Sequence, residues 1–270
     1  MKYSIAFILL LSCIQVFSQT FNLPSVHLEE LTWTEVQDAL ENDYKTVIIA
    51  TGGTEQNGPH MVLGKHNIRI KHVAERLAIE LGYALVAPIV AYVPEGNIDP
   101  PKGWMRFPGT IHLPEEHFMK LIEYASRSFK QHGFTDIVLI GDSGGNQKGM
   151  KKVSEYLNEE WKATPTRVHF VSDFYNGPGI RESLIDEGIP EEALGRHAGL
   201  LDVAYLLAVD SNMIRQYIIA ELGSDPDENW KLGFNGNPAL ATAEIGNRSI
   251  NQKIKVSIEQ IAKLKKENRK

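Results

Sequence analysis

The 270-residue sequence contains one cysteine, Cys13, which lies inside an apolar N-terminal stretch. If that stretch is cleaved, the remaining chain has no thiol, which excludes disulfide bonds and thiol catalysis. The sequence also lacks an excess of basic residues, since its formal net charge is −6. An acidic chain without a basic stripe is a poor partner for nucleic acid or for an anionic membrane surface. We therefore expect a small-molecule substrate and no nucleic acid.

Long hydrophobic runs are missing beyond the first 18 residues. Residues 1–18 combine Lys2, an apolar run over residues 5–11 and small residues at their end, which is typical of a secretory signal peptide. The run is too short to span a membrane. The sequence thus predicts a signal peptide over 1–18 and one exported domain over 19–270, either periplasmic or secreted. Because the residues up to Cys13 weakly resemble a bacterial lipoprotein signal, a lipid anchor at this cysteine is a second interpretation.

Short apolar runs alternate with amphipathic stretches along the rest of the chain. Strands are predicted over residues 45–50, 84–90, 136–140 and 167–172, where aliphatic and β-branched residues are concentrated. Helices are predicted over residues 32–40, 68–81, 115–132, 148–161, 197–208 and 250–266, and loops over 92–108 and 173–194. This alternation indicates an α/β fold: a single-domain three-layer sandwich with a mostly parallel sheet flanked by helices.

Side chains that could bind a metal ion follow the first of these strands. Glu55, His60 and His66 lie within twelve positions of one another, after two glycines that end the strand. Open α/β sheets bind their ligands at the carboxyl ends of strands. One carboxylate and two imidazoles on such a loop suggest a metal site.

Several segments resemble the creatininase (creatinine amidohydrolase) family. The most specific is Thr-Glu-Gln-Asn-Gly-Pro-His over residues 54–60, and further segments follow in the family's order between about residues 27 and 264. They are residues 31–33, 107–110, 144–146, 197–199 and 236–244. The resemblance implies the creatininase-like α/β fold and a metal-dependent hydrolase, often hexameric, that opens cyclic amides or cleaves related C–N bonds. Some members act on other small polar substrates.

The chain departs from the family pattern at metal-binding positions. The family's Glu-Gln-His reads Glu-Gln-Asn here, so Asn57 replaces a ligand, and His66 stands where an aspartate bridges two metals. After the central strand, the family's Asn-Gly-His reads Gly-Asp-Ser, which places Asp142 one position from the missing histidine. Asp202 aligns with a glutamate that is a ligand in many members. We expect a mononuclear or rearranged site for a divalent metal, with zinc favoured over manganese or iron, held by Glu55, His66, Asp142, His60 and Asp202.

The resemblance implies that His197 is catalytic, and the chemistry and loop positions of other residues suggest further catalytic and substrate-binding candidates. His197 would act as general acid or base, while Glu55 or Asp202 would orient or deprotonate a water bound to the metal. The substrate-binding residues would be Asn57, Gly144, Gly145, Asn146 and Trp104. Structural alternatives exist for several of these residues. His60 could be a buried structural imidazole, Asp142 could cap a helix, and the two asparagines could hold loops.

The sequence therefore predicts a metal-dependent hydrolase of a small polar substrate, with a cyclic amide, an amide or a lactone as the bond cleaved. The resemblance further implies a homo-oligomer such as a hexamer. Two other functions stay open: a non-catalytic relative that binds a small molecule, and a lyase or isomerase that uses the same pocket. A third alternative is a nucleophilic Ser143, because the Gly-Asp-Ser-Gly-Gly segment also matches chymotrypsin-like proteases.

Overall fold

The computed structural model describes residues 21–177, 179–223 and 225–267. The predicted signal peptide and Cys13 lie outside the described residues. The strands are β1 (Thr46–Thr51), β2 (Ala84–Val86), β3 (Gly96–Asn97), β4 (Lys102–Gly103), β5 (Asp136–Gly141) and β6 (Arg167–Phe170). The α-helices are α1 (Trp33–Glu41), α2 (Lys65–Leu81), α3 (Glu115–Gln131), α4 (Gly144–Glu160), α5 (Asp173–Asn176), α6 (Ile180–Asp186), α7 (Glu191–Leu194), α8 (Leu200–Val209), α9 (Gln216–Ile219), α10 (Pro226–Lys231) and α11 (Ala243–Glu267).

Four of the strands form one parallel sheet in the order β2-β1-β5-β6. All six residues of β1 and of β5 are buried, as expected for central strands that are covered on both faces. The register pairs Thr46 with Asp136 and Thr51 with Gly141, so both strands end at the same level. Residues that follow β1 and β5 therefore emerge side by side at one edge of the sheet.

Alternate residues of the central strands pack into two separate cores. Ile48 and Val138 face a core that includes residues of α2, α8 and α11. Val47 and Ile137 face a second core that includes residues of α1, α3 and α4. The period of two in a strand sends neighbouring side chains to opposite faces, which builds the three layers. The predicted fold class, an α/β sandwich with a parallel sheet between helices, is confirmed.

Several element boundaries differ from the sequence prediction. Helices α2 and α4 begin three and four residues before their predicted starts at 68 and 148. Gly64 caps α2 without a side-chain hydrogen bond, so the usual sequence signal for a helix start is missing. Helix α8 begins at Leu200 rather than 197, and the predicted loop over 173–194 contains the short helices α5, α6 and α7. Within the described ranges, no helix combines the length and apolarity that crossing a membrane requires.

Candidate active site

A cleft of about 910 Å³ opens at the carboxyl ends of β1 and β5. Its floor is formed by the residue segments that leave these strands and by the first turns of α2 and α8. The acidic, basic and imidazole side chains that form this floor are Glu55, Lys65, His66, Arg69, Asp142, His197 and Asp202. Because β1 and β5 end level, residues far apart in sequence meet here, as the sequence predicts for strand ends in open α/β sheets.

His66 bridges the two central strand ends. Its Nε2 lies 2.8 Å from Glu55 Oε1, and its Nδ1 lies 2.6 Å from Asp142 Oδ2. An imidazole between two carboxylates can donate to both when it carries both protons. The predicted convergence of Glu55, His66 and Asp142 is therefore present, although both ring nitrogens of His66 already face protein carboxylates.

Two cationic side chains from α2 also contact the carboxylates of the cluster. Lys65 Nζ lies 2.8 Å from Asp202 Oδ2 and 3.5 Å from Glu55 Oε1. Arg69 donates from Nη2 to Asp142 Oδ2 at 2.6 Å and from Nη1 to Asp202 Oδ1 at 2.5 Å. Lys65 and Arg69 are four residues apart on one helix and therefore share a face. Neither residue is among the site residues predicted from the sequence.

The cationic neighbours keep the three carboxylates ionised. Burial alone would raise the pKa of Glu55, but Lys65 and His66 lower that pKa to about 2. Burial acts in the same direction on Asp142 and Asp202, yet Arg69 lowers the pKa of the first, and Lys65 together with Arg69 lowers that of the second. All three groups are anions at neutral pH.

Glu95 is a further buried carboxyl group of the cleft, and its pKa shifts in the opposite direction, upward. Burial and the nearby charge of Glu55 raise the pKa of Glu95 to about 9, so it is a neutral acid at pH 7. The side chains of Glu55 and Ser143 are its hydrogen-bonding neighbours. Gly53 makes room for it, because a Cβ at that position would collide with Glu95 Oε1. The hydrogen-bonding neighbour of Ser143 is thus a carboxyl group rather than a catalytic histidine.

His197 lies at the side of the same floor. Its Nε2 is 3.0 Å from both the backbone oxygen and the side-chain nitrogen of Gln56, and its Nδ1 is 3.7 Å from Glu55 Oε1. The ring stacks on Trp104 with 3.9 Å between centroids. Burial and the charge of Lys65 lower the pKa of His197 to about 4, so the imidazole is neutral at pH 7. A neutral imidazole and a neutral acid that line the same cleft provide a proton acceptor and a proton donor.

Three predicted site residues do not line the cleft. His60 is buried behind it, where Nε2 lies 2.9 Å from the Ala198 oxygen and the ring contacts Phe234 edge-on. Asn57 donates to the backbone oxygens of Glu55 and Val62 and thereby shapes its own loop. These contacts support the structural alternatives for both residues.

Asn146 is held in the same way. Its amide nitrogen lies 2.8 Å from the Thr51 hydroxyl and 2.8 Å from the Gly52 oxygen, so it ties α4 to the end of β1. The remaining predicted substrate-binding residues Gly144, Gly145 and Trp104 do line the cleft. Asp142 does not cap α4, since Ser143 is the N-cap residue and makes no side-chain cap hydrogen bond.

The arrangement of these groups does not fit a divalent metal ion. Within the three described ranges, no group of three or more His, Cys, Asp or Glu residues is arranged to hold one. A metal site needs several lone pairs that point at a common position. The carboxylates of the predicted ligand set point instead at Lys65 and Arg69, and His60 lies outside the cleft. The expected set of Glu55, His66, Asp142, His60 and Asp202 is therefore not brought together as a ligand shell.

Comparison with known proteins identifies the family. The family model described as creatinine amidohydrolase matches residues 29–261. The chain belongs to the creatininase family. The predicted resemblance is thus confirmed over nearly all of the described residues.

Two curated relatives of this chain are hydrolases by name. The 3-dehydro-scyllo-inosose hydrolase of Thermotoga maritima is 25% identical over 204 residues, which are 71% of this chain and 58% of the relative. The match therefore spans less than two thirds of that protein. The creatinine amidohydrolase of Pseudomonas putida is 25% identical over 198 residues, or 70% of this chain and 74% of the relative. These relatives support the predicted enzyme class, a hydrolase of the amidohydrolase type.

Solved creatininases share the fold. The structure named "Creatininase Mn" has a TM-score of 0.71 and 21% identity, and the match covers 88% of this chain and 98% of that one. A mutant creatininase of the Zn-Zn type has a TM-score of 0.67 and 21% identity, with coverage of 88% and 98%. Those two structures carry manganese or zinc by name, and their likeness to this chain is a likeness of fold.

Proposed function

We propose that this chain is a hydrolase that cleaves a C–N or C–O bond in a small polar substrate, such as a cyclic amide, an amide or a lactone. The observation that carries the proposal is the meeting of an anionic Glu55, a neutral Glu95 and a neutral His197 on the floor of one cleft. Hydrolysis of a carbonyl derivative needs a base for water and an acid for the leaving group. Membership in a family of hydrolases supports the same reaction class.

In this proposal, His197 is the base and Glu95 the acid. Water adds to the substrate carbonyl carbon while His197 takes one of its protons, and the carbonyl electron pair moves onto oxygen. The bond to the leaving nitrogen or oxygen then breaks, and that atom takes the proton of Glu95. The proton on His197 passes back to the Glu95 carboxylate, so that the cycle closes with one water consumed. Proton transfer by positioned groups typically contributes about 10²–10⁴-fold to the rate.

The developing oxyanion would face positive groups on two sides. Lys65 is 1% exposed and lines the cleft, so its charge acts in a poorly solvated place. Gly144 and Gly145 form the first turn of the 17-residue helix α4, whose N-terminus favours negative charge. Asp202 accepts hydrogen bonds from Lys65, Arg69 and the Ala198 N–H. We therefore assign Asp202 to positioning the two cations and not to taking a proton from water.

The wall of the cleft favours a neutral polar substrate over a strongly charged one. Cationic and anionic side chains both line it, and the aromatic rings of Trp104, Tyr175 and Trp230 add flat apolar surface. This mixture matches a ring that carries several hydroxyl or amide groups. The name of the Thermotoga maritima relative, a hydrolase of an inosose, supports substrates of this chemical class.

The experiment that tests the proposal is turnover in ¹⁸O-labelled water. Purified protein is incubated with a panel of cyclic amides, linear amides and lactones that includes polyhydroxylated rings, and the masses of the products are measured by mass spectrometry. Hydrolysis adds one water and places the label in the new carboxyl group. A product without solvent oxygen would show a lyase or isomerase instead. Ligand-dependent thermal shifts without turnover on any member of the panel would favour a non-catalytic binding protein.

Other features stay predictions. These are the signal peptide over 1–18, the alternative lipid anchor at Cys13, the exported domain over 19–270 with its periplasmic or secreted location, and the homo-oligomer. Mass spectrometry of the N-terminus of the exported protein checks the first two, and light scattering checks the oligomer.

A further inference from the structure

We propose that Lys65 and Arg69 take the place of the divalent ions that solved creatininases carry, so that the cleft is organised by two side-chain cations and takes up no divalent metal ion. The inference goes beyond the proposed reaction, since it concerns what holds the cleft together. It rests on three observations: the burial of the two cations between carboxylates, the bonds that Asp142 Oδ2 and both oxygens of Asp202 already make, and the residues that stand at the family's ligand positions.

The partners of Lys65 and Arg69 are carboxylates expected to bind metal. Arg69 lies between Asp142 and Asp202 and bonds to both, while Lys65 lies between Asp202 and Glu55. Both cations are almost fully buried, at 1% and 4% exposure. Arg69 also stacks over the ring of Tyr205, 4.5 Å from its centre, which fixes the plane of the guanidinium. The two side chains are therefore part of the buried floor of the cleft.

The hydrogen bonds of the carboxylates leave little room for a metal. Asp142 Oδ2 faces His66 Nδ1 and accepts from Arg69 Nε and Nη2. Both oxygens of Asp202 are taken, one by Arg69 and the other by Lys65 and the Ala198 N–H. A divalent ion would have to displace a buried ammonium or guanidinium from these oxygens. The displaced cation would then be left buried without a partner, which is strongly unfavourable.

The sequence changes at the family's ligand positions agree with this arrangement. Asn57 stands where the resemblance implies a metal-binding histidine, and its side chain bonds to loop backbone instead of entering the cleft. His66 stands in place of a bridging aspartate, and a neutral imidazole bridges two metals poorly. Asn57 therefore offers no ligand to the cleft, and both ring nitrogens of His66 face protein carboxylates.

The test uses the full protein and no substrate, so its failure is distinguishable from failure of the proposed hydrolysis. Protein is purified with excess Mn²⁺ or Zn²⁺ in the medium, desalted and examined by inductively coupled plasma mass spectrometry. We expect far less than one metal per chain, and a Tm that changes by less than about 2 °C between EDTA and excess metal. A stoichiometric metal that EDTA removes with a clear fall in Tm would overturn the proposal.

A pair of variants on α2 tests the role of the cations themselves. Lys65→Ala removes the charge between Glu55 and Asp202, whereas Lys71→Ala removes a half-exposed lysine whose partner, Glu29, is 3.7 Å away at the surface. We expect Lys65→Ala to lower Tm by at least about 5 °C more than Lys71→Ala, because breaking a buried pair leaves an uncompensated charge. Equal Tm values would contradict the proposal. If Lys65→Ala is not recovered folded, the metal content of the unaltered protein decides alone.

Discussion

The two ends of strand β5 each carry a buried carboxylate with basic partners, yet they differ in what surrounds them. At the start of the strand, Asp136 Oδ1 lies 2.9 Å from His169 Nε2 on β6, and Oδ2 lies 3.1 Å from Lys265 Nζ on α11. Just beyond its end, Asp142 joins His66 and Arg69. Only the second group lines the 910 Å³ cleft.

The difference shows that a buried ion pair does not by itself mark a functional site. The Asp136 group ties β5 to its neighbour β6 and to the C-terminal helix α11, and its residues do not line the cleft. His66 links Asp142 to Glu55. These residues line a cavity large enough for a small substrate, together with the neutral side chains of Glu95 and His197. Perturbed pKa values indicate a site only when cavity and chemistry accompany them.

Replacement of the neutral acid is expected to have the largest effect. Glu95→Gln keeps the size and neutrality of the side chain but removes the transferable proton. We expect kcat to fall by about 10³-fold with the free energy of unfolding changed by less than about 1 kcal/mol. Steady-state kinetics on a substrate found in the ¹⁸O panel, together with urea unfolding, measures both quantities.

The matched control is Asp136→Asn, at the other end of β5. This variant should keep kcat at temperatures well below its Tm, because the Asp136 group is far along the strand from the cleft. If Glu95→Gln retained full turnover, Glu95 would not be the proton donor. The contrast between the two ends of the strand would then need another explanation.

Removal of the imidazole is expected to have the next largest effect. His197→Asn keeps a polar side chain beside Glu55 but cannot take a proton from water. We expect kcat/KM to fall by about 10²-fold, with kcat affected more than KM, because the base acts in the transition state. Exogenous imidazole should restore part of the rate if proton transfer is the lost function. A change confined to KM would assign His197 to binding instead.

At the other end of β5 the expected effect is on stability. Burial alone would raise the pKa of Asp136, but the hydrogen bond from His169 and the charge of Lys265 lower that pKa to about 2. Asp136→Asn should therefore cost about 2 kcal/mol of unfolding free energy at pH 7, which corresponds to a Tm lower by about 5 °C. Thermal denaturation followed by circular dichroism measures the difference.

The pH dependence of that difference follows from the sign of the shift. A carboxyl with a pKa below its usual value of about 3.9 contributes stability that is fully present above that value. The contribution is lost as pH falls through the folded-state pKa near 2. The unaltered protein and Asp136→Asn should thus differ at pH 6 and converge toward pH 2. A difference that persisted unchanged at pH 2 would contradict the assigned cause.

The sequence predicts the part of the site that depends on strand ends. Glu55 and Asp142 follow runs of buried residues, and parallel strands bring their carboxyl ends to one edge, so their meeting is predictable. Lys65 was missed because α2 was expected to start at 68, and Arg69, although inside the predicted helix, was missed because the sequence does not show which groups face that helix. A start at 65 would have put Lys65, His66 and Arg69 on one helical face, with the cations beside the carboxylates.

Glu95 could not have been found in this way. It lies in a stretch without helical or strand periodicity, and its position depends on the space left by Gly53 and on the proximity of Glu55. Its raised pKa arises from burial, which is a property of the folded chain and not of the local sequence. Residue types alone likewise do not reveal which cations lie against the carboxylate oxygens, so the contacts of Lys65 and Arg69 could not be predicted.

The smallest expected effect concerns the aromatic wall of the cleft. Trp104 stacks on His197 with an angle of 17° between the rings, and it also meets Trp230 edge-on at 5.6 Å. Trp104→Phe keeps an aromatic ring but loses part of the stacked area, which is worth about 1 kcal/mol. We expect kcat/KM to fall by roughly five-fold.

Trp33→Phe, in an exposed residue of α1, is the control and should change neither kcat/KM nor Tm. Because Trp104 stacks on His197 and is not part of the Asp136 ion-pair group, Tm should stay within about 2 °C of the unaltered protein. An equal loss of rate in both tryptophan variants would mean that Trp104 does not orient the imidazole, and the wall of the cleft would then serve substrate packing alone.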